Sequence, residues 1–258
     1  MSAIHPTALV DPRARLAGDV RVGPFTVIDG DVEVGEGTSI GAHCVVTGHT
    51  SLGRDNRVFH FCSIGEANQD KKYQGEPTRL AIGDRNTIRE YCSLSRGTVQ
   101  GGGVTTVGHD NWIMAYCHIA HDCHVGDHTV FANNATLAGH VVIGDHTVLG
   151  GFTGVHQFVK IGAHVMAGVS SVILQDIPPY VTVAGHPCAP HGINSEGLKR
   201  RGFPPEAILA LKRAYKTLYK SGLALADAKA ELERQSQLAP DVKAIVDFLT
   251  VSTRGIVR

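Results

Sequence analysis

Residues 119–149 read IAHDCHVGDHTVFANNATLAGHVVIGDHTVL, and an apolar residue returns at every sixth place: Ile119, Val125, Phe131, Leu137, Ile143 and Leu149. The phase extends outward through Val155, Ile161, Ala167 and Ile173 on one side and Ile113 and Val107 on the other. An earlier run holds the same spacing from Ile4 through Val10, Leu16, Val22, Ile28, Val34, Ile40, Val46, Leu52 and Val58 to Ile64. Ile82, Ile88 and Leu94 form a short run between them, for 26 hexads in all. A six-residue period fits neither a helix nor a hairpin meander. It fits a coil of short strands and corners, in which three hexads close a triangular turn of 18 residues and each aliphatic side chain stacks on its equivalent one turn away. With coils about 4.8 Å apart, the prism is on the order of 40 Å tall.

The other hexad positions support this reading. The residue after the aliphatic is Gly in twelve hexads, among them Gly23, Gly41, Gly126 and Gly162, as a tight corner or close backbone approach requires. The fifth position is small and takes Cys44, Cys62, Cys92, Cys117 and Cys123, so five of the six thiols read as compact packing groups. No Cys-x-x-Cys pair exists, which removes the commonest zinc and redox spacings. His128, His146 and His164 fall at the fourth position and read as corner chemistry.

Two stretches interrupt the hexads. Between Ile64 and Ile82 the phase survives, but Asp70 and Glu76 occupy aliphatic slots, so a charged loop near 70–81 leaves the coil. Between Leu94 and Val107 the spacing is thirteen, so seven residues are inserted around 100–106. Loops on a rigid scaffold often carry function. After Ile173 the pattern turns helical: Pro204 and Pro205 precede Ile208, Leu211, Tyr215 and Leu218, with Gly222 as a stop. A second helix is expected over about 224–237 and a third after Pro240. The expected architecture is mainly β, a parallel β-helix over 1–190 followed by a C-terminal α-helical domain over 191–258 that caps the coil or clasps a neighbour.

Composition narrows the function. The 24 basic and 24 acidic residues leave no cationic excess to hold nucleic acid. There is no apolar run long enough to span a bilayer and no signal-peptide pattern, so the expected location is cytoplasmic. Phosphate-loop, H-E-x-x-H and G-x-S-x-G motifs are absent. Adding 18 places His121 beside Gly139 and then Gln157, Asp122 beside His140, and Ala120 and Ala138 beneath His156, with His118 on the same wall. A neutral His is a good general base near pH 7, and a neighbouring glycine N–H can stabilise an oxyanion. That pairing suits deprotonation of a hydroxyl and direct attack on a thioester. Three histidines from adjacent coils could instead hold zinc, as in carbonic anhydrases built on such a coil; spacing alone leaves both open.

Seven segments carry a more specific signal: GEANQDKKYQGEPTR (65–79), REYCSLSRGTVQGGG (89–103), HIAHDCHVG (118–126), ANNATLAGH (132–140), VHQF (155–158), GAHVM (162–166) and INSEGLKRRGF (193–203). Together they span the chain, and they resemble the UDP-N-acetylglucosamine acyltransferases that begin lipid A synthesis. The resemblance implies a left-handed coil and a homotrimer with active sites between subunits. It implies transfer of an R-3-hydroxyacyl group from acyl carrier protein to the sugar 3-hydroxyl, with no cofactor and no metal. It assigns the general base to His121 and the oxyanion donor to Gly139. Asp122 would orient His121, although adjacent strand residues normally face opposite ways. His118, His140, His156 and Gln157 would line the sugar and acyl site, and Asp70 and Lys72 would meet the sugar end. Asn194, Glu196, Arg200 and Arg201 would meet nucleotide and phosphate. Met166 and Val169 would form an acyl-chain ruler; where long-chain members carry Gly three residues past the Met, this chain has Val169, which implies a shorter acyl chain. The enzyme that N-acylates the later lipid A precursor, a zinc-dependent carbonic anhydrase-like enzyme and a non-catalytic scaffold are the rivals. The first usually carries an extra N-terminal domain, and hexads starting at Ile4 leave no room for one.

Overall fold

The computed structural model describes residues 3–258. It is a left-handed parallel β-helix followed by a helical domain. Each of the 26 hexads forms one short strand, and these strands distribute over three parallel sheets. The first face runs from Ala3–Ile4 to Met166–Ala167, the second from Leu9–Val10 to Val172–Ile173, and the third from Arg15–Leu16 to Lys160–Ile161. Paired residues in uninterrupted coils are 18 apart, as in Arg21↔Ser39 and Trp112↔Val130. The aliphatic column faces inward: Ile28, Ile64, Ile88, Ile119, Phe131, Leu137 and Leu149 are fully buried in one continuous core.

The fifth hexad position does more than pack. Thr26 Oγ1 donates to the Gly41 carbonyl at 2.6 Å and Thr38 Oγ1 to Gly53 at 2.8 Å. Cys44, Cys62 and Cys92 take the same role toward Phe59, Arg89 and Met114, with Sγ 3.0–3.1 Å from the carbonyl oxygens. Each of these corner carbonyls thereby gains a partner from the coil before it, which a purely apolar residue could not give. All six cysteines are buried and unpaired. The fourth position is left-handed at corner after corner, including Asp122 (φ 58°), His140 (φ 62°) and His164 (φ 60°). Asn, Asp and His tolerate that region better than most side chains. His128, His146 and His164 stack there at 4.8 Å ring spacing.

Both interruptions leave from the second face and return to the third, at one corner of the prism. The first detour spans 67–78, three residues earlier than the expected 70–81, because Arg79–Ile82 is already a strand paired with His49–Leu52 and buries Leu80 and Ile82. Arg57 pairs with Thr87, 30 residues on. The insertion is therefore two hexads long, which is why the phase survives it. The second detour closes through a 3₁₀ turn, Val99–Gly101, and rejoins the third face at Val104–Val107, so 104–106 is strand rather than loop. Thr105 and Val107 alternate inward and bring it back into register.

Beyond the last coil, Val181–Gly185 and Cys188–Ile193 form an antiparallel hairpin on the first face. It runs three residues past the expected break at 190. Four helices follow: α1 (Ser195–Arg200), α2 (Pro205–Tyr219), α3 (Leu225–Ser236) and α4 (Lys243–Val251). Leu198, Ile208, Leu211, Leu218, Leu232 and Ile245 bury into a second core, while Tyr215, Tyr219, Cys188 and Val257 cover the end of the first. Asp176 fastens the tail: buried at the last corner, it accepts from Lys160 N (2.8 Å), Ser252 Oγ (2.7 Å) and Thr253 N (3.1 Å). The tail thus caps its own coil. Among the described residues, no helix is long and apolar enough to cross a membrane.

Candidate active site

The interrupted corner builds a groove of about 830 Å³. The first loop contributes Asp70 and Lys72, the second Thr98 and Gln100, and the uninterrupted coils His118, His121, His140, Gln157 and Phe158. These come together because all leave the second face toward the third.

At its centre His121 Nδ1 lies 2.8 Å from Asp122 Oδ2. The expectation that neighbours face opposite ways does not apply, because His121 and Asp122 are corner residues rather than strand residues. The left-handed backbone at Asp122 turns its carboxylate inward, leaving the side chain 1% exposed and the His121 side chain 16% exposed. Asp122 also accepts from Thr98 N at 2.8 Å and Thr98 Oγ1 at 2.6 Å. A carboxylate with several donors is held as an acceptor, so the proton of His121 is assigned to Nδ1 from this contact and Nε2 carries a lone pair.

Gly139 sits against the His121 ring. A Cβ there would lie 2.4 Å from Cε1 and 2.6 Å from Nε2, so only glycine admits the imidazole. The Gly139 N–H makes no hydrogen bond among the described residues. His140 Nε2 is 3.7 Å from Asp122 Oδ2, and its ring stacks on Phe158 at 4.3 Å. His118 Nδ1 meets Ser93 Oγ at 2.7 Å. Burial lowers the affinity of both His118 and His140 for a proton, which favours their neutral forms. His156 stands on a higher coil with an exposed ring, outside the groove lining, its Nδ1 3.1 Å from the Gln157 carbonyl. Lys72 N donates to Asp70 Oδ1 at 3.0 Å, an Asx turn that shapes the loop.

His121, Asp122 and His140 also bring three donor atoms within 4.8 Å of one another, the spacing of a metal cluster. Both Asp122 oxygens already hold partners, Oδ1 from Thr98 N and Oδ2 from Thr98 Oγ1 and His121, which suits a base-and-orienter pair better than a chelate.

The remaining candidates lie at the other two corners. Asn194 caps α1, accepting from Gly197 N at 3.1 Å and donating to the His164 carbonyl at 3.0 Å. Arg201 Nη2 donates to the His146 carbonyl at 3.0 Å, while its buried Nη1 and His164 Nδ1 have no hydrogen-bond partner. Glu196 pairs with Lys199 at 2.8 Å, and Glu196 and Arg200 are exposed. This group occupies the corner between the third and first faces. Met166 and Val169 lie where the first face turns into the second, with Val169 71% exposed. Beneath Val169 stand Gly151 and Asn133, so it is the one large apolar side chain of its column. A single chain therefore gathers the histidine group but not the Arg201 or Val169 groups.

Sequence reasoning missed Ser93, Thr98, Gly101 and Phe158. Thr98 was readable: it is the fifth position of the hexad opened by Leu94, a slot that points inward.

Comparison with known proteins supplies the context. Residues 176–257 match the profile of the UDP-N-acetylglucosamine O-acyltransferase second domain, and residues 13–48 and 105–139 that of the bacterial transferase hexapeptide. The acyl-[acyl-carrier-protein]–UDP-N-acetylglucosamine O-acyltransferase of Thiobacillus denitrificans is 64% identical across the full length of both chains. That of Halorhodospira halophila is 58% identical over the same extent. Among solved structures, LpxA from Acinetobacter baumannii superposes with a TM-score of 0.97 at 48% identity, covering 99% of each chain. The Francisella novicida UDP-N-acetylglucosamine acyltransferase gives 0.97 at 38%, covering 99% of this chain and 94% of its own.

Proposed function

Since the chain belongs to the UDP-N-acetylglucosamine O-acyltransferase family, we propose that His121 is the general base of its reaction and Gly139 the oxyanion donor. The enzyme transfers an R-3-hydroxyacyl group from acyl carrier protein to the 3-hydroxyl of UDP-N-acetylglucosamine, the first step of lipid A biosynthesis. In the proposed mechanism Nε2 of His121 takes the hydroxyl proton as the sugar oxygen attacks the thioester carbonyl. Asp122 holds the ring and stabilises the imidazolium that forms. The Gly139 N–H meets the developing oxyanion. Collapse breaks the C–S bond, and the imidazolium returns its proton to the leaving thiolate. No cofactor takes part. The carrying observation is the buried Asp122–His121 pair with His121 set against Gly139 in a groove. Neutral His118 and His140, with Gln157, Asp70 and Lys72, would contact the sugar and acyl groups from the same groove.

The proposal includes a homotrimer. Arg201 with Asn194, Glu196 and Arg200 would meet the nucleotide, and Val169 with Met166 the acyl end, from corners that a single prism cannot turn toward its own His121. Packing three prisms around an axis supplies those corners from neighbours. Co-expressing His121→Ala and Arg201→Ala chains should therefore restore part of the activity that each lacks alone, measured on mixed trimers separated by two affinity tags. Mixed trimers as inactive as either parent would count against shared clefts. A cytoplasmic location is part of the proposal, and six unpaired thiols suit a reducing compartment.

The direct test incubates the protein with UDP-N-acetylglucosamine and a panel of R-3-hydroxyacyl carrier proteins. Turnover with a preferred chain length supports the reading. Absence of turnover, with stoichiometric zinc found on metal analysis, would favour the metal reading of His121, Asp122 and His140. Val169→Gly should shift the preference toward longer chains, since each methylene in an apolar pocket contributes about 1–3 kcal/mol of discrimination. An unchanged chain-length profile would remove Val169 from the ruler.

A further inference from the structure

The second insertion does more than line the groove. Thr98 is 3% exposed and sits under the carboxylate of Asp122, on the coil immediately below. Its backbone N–H donates to Oδ1 at 2.8 Å and its hydroxyl to Oδ2 at 2.6 Å. Oδ2 is the same oxygen that faces His121 Nδ1. The hydroxyl has no freedom to turn away, because Thr98 Oγ1 already accepts the Gly101 N–H at 3.1 Å and must send its own proton to Asp122. The line runs from Gly101 N–H through the Thr98 hydroxyl and Asp122 Oδ2 to His121. Gly101 closes the remaining side: a Cβ there would stand 2.1 Å from the carboxylate carbon and 2.3–2.4 Å from both oxygens. Thr105, at the return of the same insertion, accepts the Asp122 N–H at 2.8 Å. Apart from the contact with His121, the hydrogen bonds of Asp122 among the described residues thus all come from Thr98 and Thr105.

We propose that Thr98 is a positioning residue of the acyl transfer, acting through Asp122 on His121, and that the inserted segment from Thr98 to Thr105 supplies the floor on which the pair is aligned. Three features separate this from general packing. Both donors of Thr98 converge on one carboxylate. The glycine is demanded by the carboxylate rather than by backbone conformation, since Gly101, unlike Gly102 and Gly103, has no positive φ. The hydroxyl contact is made to Oδ2, the oxygen shared with the imidazole. Thr98 is nearly buried at the edge of the groove and gives both of its donors to Asp122, so its effect is expected on the chemical step rather than on binding.

The inference rests on the assignment of His121 as base, and the experiment keeps the two apart. Full-length parent, T98V, T98S, D122N, T98V/D122N and H121A proteins are compared with UDP-N-acetylglucosamine and the preferred acyl carrier protein, with thermal unfolding midpoints recorded beside the kinetics. T98V keeps shape but removes the hydroxyl. It should lower kcat about ten- to a hundredfold, the effect of a misplaced catalytic group, and leave KM for the nucleotide sugar unchanged. T98S should restore most of kcat, because it returns the hydroxyl. In the D122N background the T98V change should cost little more, since a residue acting through Asp122 has nothing left to act through. Equal damage in T98S and T98V, a T98V loss that persists in full beside D122N, or a rise in KM at constant kcat would overturn the assignment. H121A with full turnover would overturn the base reading itself. An inactive H121A beside a fully active T98V would overturn only the role of Thr98.

Discussion

His121→Ala lowers kcat by about a thousandfold while leaving the protein folded; that is the expected result, within the range spanned by removal of a general base. The magnitude follows from the absence of a substitute within reach. His118 has its Nδ1 turned to Ser93, and His140 is held against Phe158. Neither has a carboxylate within hydrogen-bond distance: His140 Nε2 is 3.7 Å from Asp122 Oδ2, against 2.8 Å for His121 Nδ1. The fold should tolerate the change because His121 is a corner residue, and the aliphatic column beside it, Ile119 and Leu137, does not use the ring. The measurements are initial rates with the preferred acyl carrier protein and a thermal unfolding midpoint. Rates within a few-fold of the parent would move the base elsewhere.

Gly139→Ala should approach that result from the opposite side of the ring. The added methyl would lie 2.4 Å from Cε1 and 2.6 Å from Nε2 of His121, so the imidazole must move. Moving it breaks either its contact with Asp122 or its aim at the sugar hydroxyl. A displacement of about 1 Å at a catalytic group costs on the order of a hundredfold, so kcat should fall by at least that much. Gly139 has no positive φ, so alanine brings no backbone strain, and the unfolding midpoint should stay near that of the parent. Alanine also keeps its N–H. The loss would therefore report displacement of the ring, and an active variant would show that His121 need not lie where the groove holds it.

Much of this was legible in the sequence. One phase of aliphatic residues identified every coil strand, and adding 18 put Gly139 in the column of His121. Four things were not. The ends of the first insertion were blurred, because twelve residues make two whole hexads and the phase survives it. Asp122 followed a corner backbone instead of the strand rule, and a left-handed residue does not announce itself when Asp, Tyr, Phe and His share the slot. The fifth position looked apolar because its acceptors are carbonyls fifteen or more residues ahead, which hydropathy does not register. The scatter of Arg201 and Val169 to the other corners needed coordinates, since a motif says what a residue contacts without saying whose copy it serves.

The two insertions also say how such a protein can change. Arg57 pairs with Thr87, and Thr87 with Trp112, so successive coils take up 30 and 25 residues where others take 18. The prism counts corners rather than residues. Whatever length of chain is spent outside, the next strand docks in the same register, because its position is set by the rung below it. Loop length is therefore a free variable, decoupled from the ladder that bears the load. Substrate specificity can be rewritten at that corner by lengthening, shortening or exchanging a detour, and the rest of the molecule need not be renegotiated.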